Sequence, residues 1–80
     1  MIEVRAHYFA AFREQAGREF EPVQTGSQTA AELFEELADR HGFLDARDRC
    51  KVAVNGRLAS WDSSLSAGDE ILFFPPVAGG

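Results

Sequence analysis

Two strongly apolar strands lie near opposite ends of this chain, and everything between them must fold so that they can meet. Ile2 to Phe9 alternates, with Ile2, Val4, Ala6 and Tyr8 on one face and Glu3, Arg5, His7 and Phe9 on the other. That period of two marks a strand with one buried face. Asp69 to Phe74 is the second run, with Ile71 and Phe73 as core candidates opposite Glu70, Leu72 and Phe74. As the most hydrophobic strands they are expected to pair centrally as parallel neighbours. A parallel pair needs a crossover connection, and the helix between them supplies it.

That helix is announced by Thr29-Ala30-Ala31-Glu32, the Thr-x-x-Glu spacing of a capping box in which each side chain reaches the other's backbone N–H. It is expected to run to about His41 and stop at Gly42. Leu33, Phe34, Leu37 and Ala38 form its apolar stripe. Glu32, Glu35, Glu36 and Asp39 fall mainly on the solvated face and read as surface charge rather than as paired catalytic acids.

The remaining elements are shorter. Ala10 to Ala16 suits a helical turn closed by Gly17. Arg18 to Val23 reads as a second strand, at a sheet edge because Pro22 cannot donate to a ladder. A polar loop over Leu44 to Arg49 precedes a strand over Cys50 to Val54, and Asn55-Gly56 is a strong hairpin signal. A strict two-residue turn pairs Ala53 with Leu58 and Val54 with Arg57, turning Arg57 toward the core. This conflict points to a bulge or an open edge. Leu65 to Gly68 makes the last turn. The whole predicts an α+β roll of the ubiquitin-like, β-grasp type, a mixed sheet with one main helix.

Eighty residues, 45% hydrophobic and 26% charged, make one globular domain over 1–80, with 75–80 as a C-terminal tail. Such a length is too short to wall a deep cleft of its own. The net charge of −5 argues against a nucleic-acid partner. The N-terminal stretch has neither a signal-peptide pattern nor a membrane span, and the single cysteine suits a reducing cytoplasm. Cys50 reads as a small buried hydrophobe. His7 and His41 read as surface histidines, and no phosphate-cradling glycine motif occurs.

Two features carry more information. Strand parity sends Phe9 and Phe74 to the wetter side of neighbouring strands, joined by Leu58 if the hairpin register holds and rimmed by Arg13. Pattern alone leaves two readings, a docking surface with aromatic anchors or residues covered by loops or the short helix. The ending Phe73-Phe74-Pro75-Pro76-Val77-Ala78-Gly79-Gly80 is the second feature. Pro75 and Pro76 leave the ladder as a stiff spacer, and the span to Gly80 reaches at most roughly 20 Å at ~3.3 Å per residue. Gly79 and Gly80 lack a Cβ and fit a narrow channel. A frayed end is the alternative, but the spacer with an apolar surface at its root favours an arm that presents a carboxylate. A carboxylate with a pKa of about 3.5 is ionised and a poor electrophile. It needs activation, for example as a mixed anhydride with AMP, before a sulfur donor can leave a thiocarboxylate.

With those residues in place, the chain resembles the small, sulfur-carrier subunit family of molybdopterin synthase. The narrowest parts of the match are Gly68-Asp69-Glu70 and Phe73 to Gly80, with Ala53-Val54-Asn55-Gly56 and Arg13-Glu14 with Gly17 agreeing more loosely. The resemblance implies that Gly80 is adenylated by an ATP-dependent activating enzyme and converted to a thiocarboxylate with sulfur from a donor enzyme. It implies no bound cofactor. The tail of Pro75, Pro76, Val77, Ala78 and Gly79 then enters the large synthase subunit, in a heterotetramer, and delivers sulfur to cyclic pyranopterin monophosphate. Phe9, Arg13, Leu58 and Phe74 match positions the family uses against partners. Two alternatives remain open, a sulfur carrier for thiazole or thiolated-tRNA synthesis and a ubiquitin-like protein modifier.

Overall fold

The computed structural model describes residues 1–76. The expectations for Val77, Ala78, Gly79 and Gly80 lie outside the described residues. The alternating terminal runs become β1 (Ile2–Tyr8) and β5 (Glu70–Phe74), which pair in parallel with Arg5 opposite Glu70 and Tyr8 opposite Phe73. Around them the sheet is antiparallel, in the order β2-β1-β5-β3-β4, with β2 (Phe20–Thr25), β3 (Lys51–Val54) and β4 (Arg57–Ala59). The two strands predicted as central are central. This mixed sheet with one main helix is the ubiquitin-like β-grasp roll expected from the sequence.

The main helix, α2 (Ala30–His41), follows a six-residue α1 (Ala11–Ala16) in the chain and buries Leu33, Phe34 and Leu37 against the sheet. Phe34 meets Phe73 and Trp61 edge-on, at 5.6 and 5.3 Å between ring centroids. Fully burying such side chains contributes about 1.5–3 kcal/mol each. The helix ends where Gly42 adopts φ 72°, a left-handed cap that glycine enters without strain.

The helix start differs from expectation in one bond. Thr29 Oγ1 accepts from the Glu32 N–H at 3.2 Å, but the Glu32 carboxylate accepts from the Gln28 N–H at 2.7 Å rather than from Thr29. Thr29 is held in an antiparallel bridge with Ser64, and the reciprocal bond steps back one residue. The N–H groups of Ala30 and Ala31, which no helical carbonyl can serve, donate to Ser63 and Trp61. The loop before β5 thus caps the helix and ties it to the sheet.

At the hairpin, the expected bulge is absent and the open edge is what resolves the conflict. Asn55 and Gly56 take φ 52° and 83°, as a type I′ turn requires. The strict register holds, with Val54 opposite Arg57 and Ala53 opposite Leu58. Because β4 is the outermost strand, Arg57 stays exposed although its parity is that of a core position. The segment read as a loop over Leu44 to Arg49 also contains a short 3-10 turn, Arg47–Arg49.

His41 is not the surface residue that the sequence suggested. Its Nε2 lies 2.6 Å from Oε2 of Glu21, a buried carboxylate that also accepts from the Tyr8 hydroxyl and faces Arg18 at 3.4 Å. Burial alone would raise the Glu21 pKa. The hydrogen bonds from Tyr8 and His41, with the charges of His41 and Arg18, outweigh it and hold the carboxyl below its ordinary value. The same burial, reinforced by the neighbouring carboxylate, pushes the Tyr8 phenol well up.

Candidate functional site

The sheet face turned away from α2 carries the candidate site. Registers across the sheet align Phe20, His7, Leu72, Ala53 and Leu58 in one row spanning all five strands. Leu58 ends the row with 76% of its surface exposed, so neither loop nor helix covers it. One step further along the central strands, Phe9 and Phe74 stack with centroids 4.9 Å apart and planes 13° from parallel, and Phe9 remains 42% exposed. The residues paired by parity are therefore brought together on an open face.

The turn after β1 accounts for the placement of Phe9. Phe12 N–H donates to the Phe9 carbonyl at 3.0 Å, and Ala10 between them has φ 50° and ψ −121°. These are the dihedrals of the first central residue in a type II′ turn, a position glycine normally fills. The buried Phe12 ring anchors the far side of this turn in the core. An alanine held there stores strain of about 1–3 kcal/mol, and such strain concentrates at ligand clamps and binding loops.

Phe9 separates two depressions. On one side, His7, Arg13, Glu19 and Phe20 line a hollow in which Arg13 lies 3.9 Å from Glu19. On the other, Phe9, Ala10, Ala11, Asp45, Phe74, Pro75 and Pro76 line a groove of about 640 Å³. The ladder stops at Phe74 opposite Lys51, and the half-buried Pro75 and Pro76 form part of the groove wall. The point where Pro75-Pro76 leave the ladder and the stacked Phe9–Phe74 pair are one place in the molecule.

An ionic cluster borders the apolar row. Glu70 faces His7 and lies 3.3 Å from Arg5, whose guanidinium stands over the Phe20 ring at 4.9 Å. Asn55 fixes this strand end, its side chain donating to Asp69 and accepting from the Glu70 N–H. Phe20 and Asp45 belong to the site but were not picked out from the sequence. The alternation of Phe20 with the buried Glu21 was a usable signal once β2 is set beside β1, whereas nothing in the loop marks Asp45.

Cys50 is buried, its Sγ 3.2 Å from the Ala46 carbonyl oxygen. Burial, and next the charge of Asp45, raises its thiol pKa, which suppresses the reactive thiolate. Among the described residues no group of three or more potential metal ligands gathers, and no helix is long and apolar enough to cross a membrane.

Comparison with known proteins places this geometry among relatives. Residues 6–80 match the ThiS family. The molybdopterin synthase sulfur carrier subunit of Escherichia coli (strain K12) is 35% identical over 80 aligned residues, covering 96% of this chain and 99% of that protein. The crystal structure of SAMP1 from Haloferax volcanii superimposes with a TM-score of 0.80 at 31% identity, over 98% of this chain and 99% of that one. A chain in the complex of subunits 1 and 2 of molybdopterin-converting factor from Helicobacter pylori 26695 does so with a TM-score of 0.67. It is 25% identical and covers 99% of this chain and 100% of its own.

Proposed function

The chain belongs to the ThiS family, and from that premise we propose that it is the sulfur-carrier subunit of a molybdopterin synthase, with the Gly80 carboxylate as the group that carries sulfur. The observation that carries this reading is the stacked Phe9–Phe74 pair at the point where β5 gives way to Pro75-Pro76. A partner that grips the exposed face through Phe9, Phe74, Leu58 and Arg13 receives the tail in a fixed direction. Two prolines at its root reduce the conformational freedom lost on insertion.

The chemistry follows from the carboxylate. One of its oxygens attacks the α-phosphorus of ATP on an activating enzyme, forming the acyl adenylate and releasing pyrophosphate. Sulfur at the oxidation level of hydrosulfide then attacks the carbonyl carbon, AMP leaves with the bonding electrons, and the thiocarboxylate remains. A sulfur-donor enzyme supplies that atom. Val77, Ala78 and Gly79 present the end to the large synthase subunit, where sulfur passes to cyclic pyranopterin monophosphate. The carrier itself holds no cofactor in this reading. The Helicobacter complex of subunits 1 and 2 supports a large-subunit partner, and in this reading two carriers and two large subunits form a heterotetramer.

Incubation with the activating enzyme, ATP and a sulfur source is expected to add the mass difference between sulfur and oxygen, localised to Gly80 by fragmentation. An unchanged mass with an activating enzyme that is competent on its own carrier overturns the proposal. A second reading, a protein modifier, is favoured by the likeness to small archaeal modifier protein 1 from Haloferax volcanii, 33% identical over 90% of this chain. Isopeptide-linked conjugates on lysines of other proteins, dependent on Gly80, would select it.

A further inference from the structure

We infer that the groove at the root of the tail receives a lysine or arginine side chain of the protein that accepts the tail, and that Asp45 determines this choice; the inference rests on the carrier reading above. Phe9, Phe74, Pro75 and Pro76 give the groove an apolar wall, and among the described residues Asp45 is its single charged lining residue. Asp45 as a residue is partly exposed, and among the described residues no cation lies within ion-pair distance of its carboxylate. Nearby Arg47 is already engaged by Glu35 at 3.2 Å. A carboxylate with no cation beside it, set at the edge of an apolar surface, can accept charge-assisted hydrogen bonds from an incoming cation.

The shape narrows the cation further. Lys and Arg lay an aliphatic stem along apolar surface while the charged head reaches a polar group at its edge. The stacked rings and the prolines offer such a bed, with Asp45 as its polar end. Strained Ala10 lines the same groove, an independent mark of a binding position. On the other side of Phe9 the hollow sets Arg13 3.9 Å from Glu19, so its charges balance while the groove carries the carboxylate of Asp45. A partner that brings its base to the groove rather than to the charge-balanced hollow docks in a single orientation, which fixes the direction of the tail.

The test is calorimetric titration of the full chain, and of Asp45→Asn and Asp45→Lys, with the large synthase subunit at two ionic strengths, alongside thermal melts. Asp45→Asn is expected to weaken binding about tenfold with an unchanged melting temperature. Asp45→Lys should weaken it further, and both variants should lose part of the salt dependence. Unchanged affinity, or a loss that leaves the salt dependence intact, overturns the inference while the carrier reading stands. Failure of the unaltered chain to bind the large subunit overturns the carrier reading and the inference with it.

Discussion

Ala10 is the residue whose chemistry and conformation disagree most. Its φ of 50° asks for glycine, yet it lies in the turn that sets Phe9 against Phe74. Replacement by glycine relieves strain but adds freedom to the unfolded chain, so Ala10→Gly is expected to stabilise the fold by about 1 kcal/mol in chemical denaturation. A loss of stability would mean that the methyl makes packing contacts that outweigh the strain. Nothing in the sequence announces this position, because alanine carries no sign of positive φ. Gly17, Gly42 and Asn55-Gly56 were legible as turns and caps because those residue types are the ones that tolerate such dihedrals. Asp45 was illegible for a related reason: its meaning comes from the apolar groove around it, not from its neighbours in sequence.

At the level of elements, the Glu21 carboxylate links β1, β2 and the end of α2 through Tyr8 and His41. Tyr8→Phe removes one donor from a buried charge and is expected to cost about 2 kcal/mol at neutral pH. Because the folded pKa of Glu21 is lowered, its contribution is complete above the ordinary glutamate value. It fades as pH falls through that value toward the folded one. The gap between Tyr8→Phe and the unaltered chain should therefore narrow below about pH 4, which denaturation midpoints across pH will check. A gap constant with pH would place the cost in packing instead. Period-two alternation marks which face a strand buries, but not which buried polar groups find one another across three elements. The same limit explains Arg57, whose parity pointed inward while the edge position of β4 left it in water.

For the molecule as a whole, the topology was legible because two rules met: the most apolar strands take the middle of a sheet, and a parallel pair demands a crossover. In the proposed reading its open face separates stability from recognition. Leu58 is 76% exposed, so Leu58→Ser should leave the unfolding midpoint within about 0.5 kcal/mol while weakening partner binding. A midpoint that drops with unchanged binding would reassign Leu58 to the fold. The parallel pairing of β1 with β5 also governs synthesis. A ribosome delivers β1 first and β5 last, so β1 waits with one side of its ladder vacant until nearly the whole chain has emerged. The tail begins directly after Phe74, the final ladder residue. Messages cut short before Glu70 yield chains without the middle strand β5, which proteases can remove as unfolded. Assembly of the sheet thereby acts as a length check, and a folded sheet is one whose translation has passed β5.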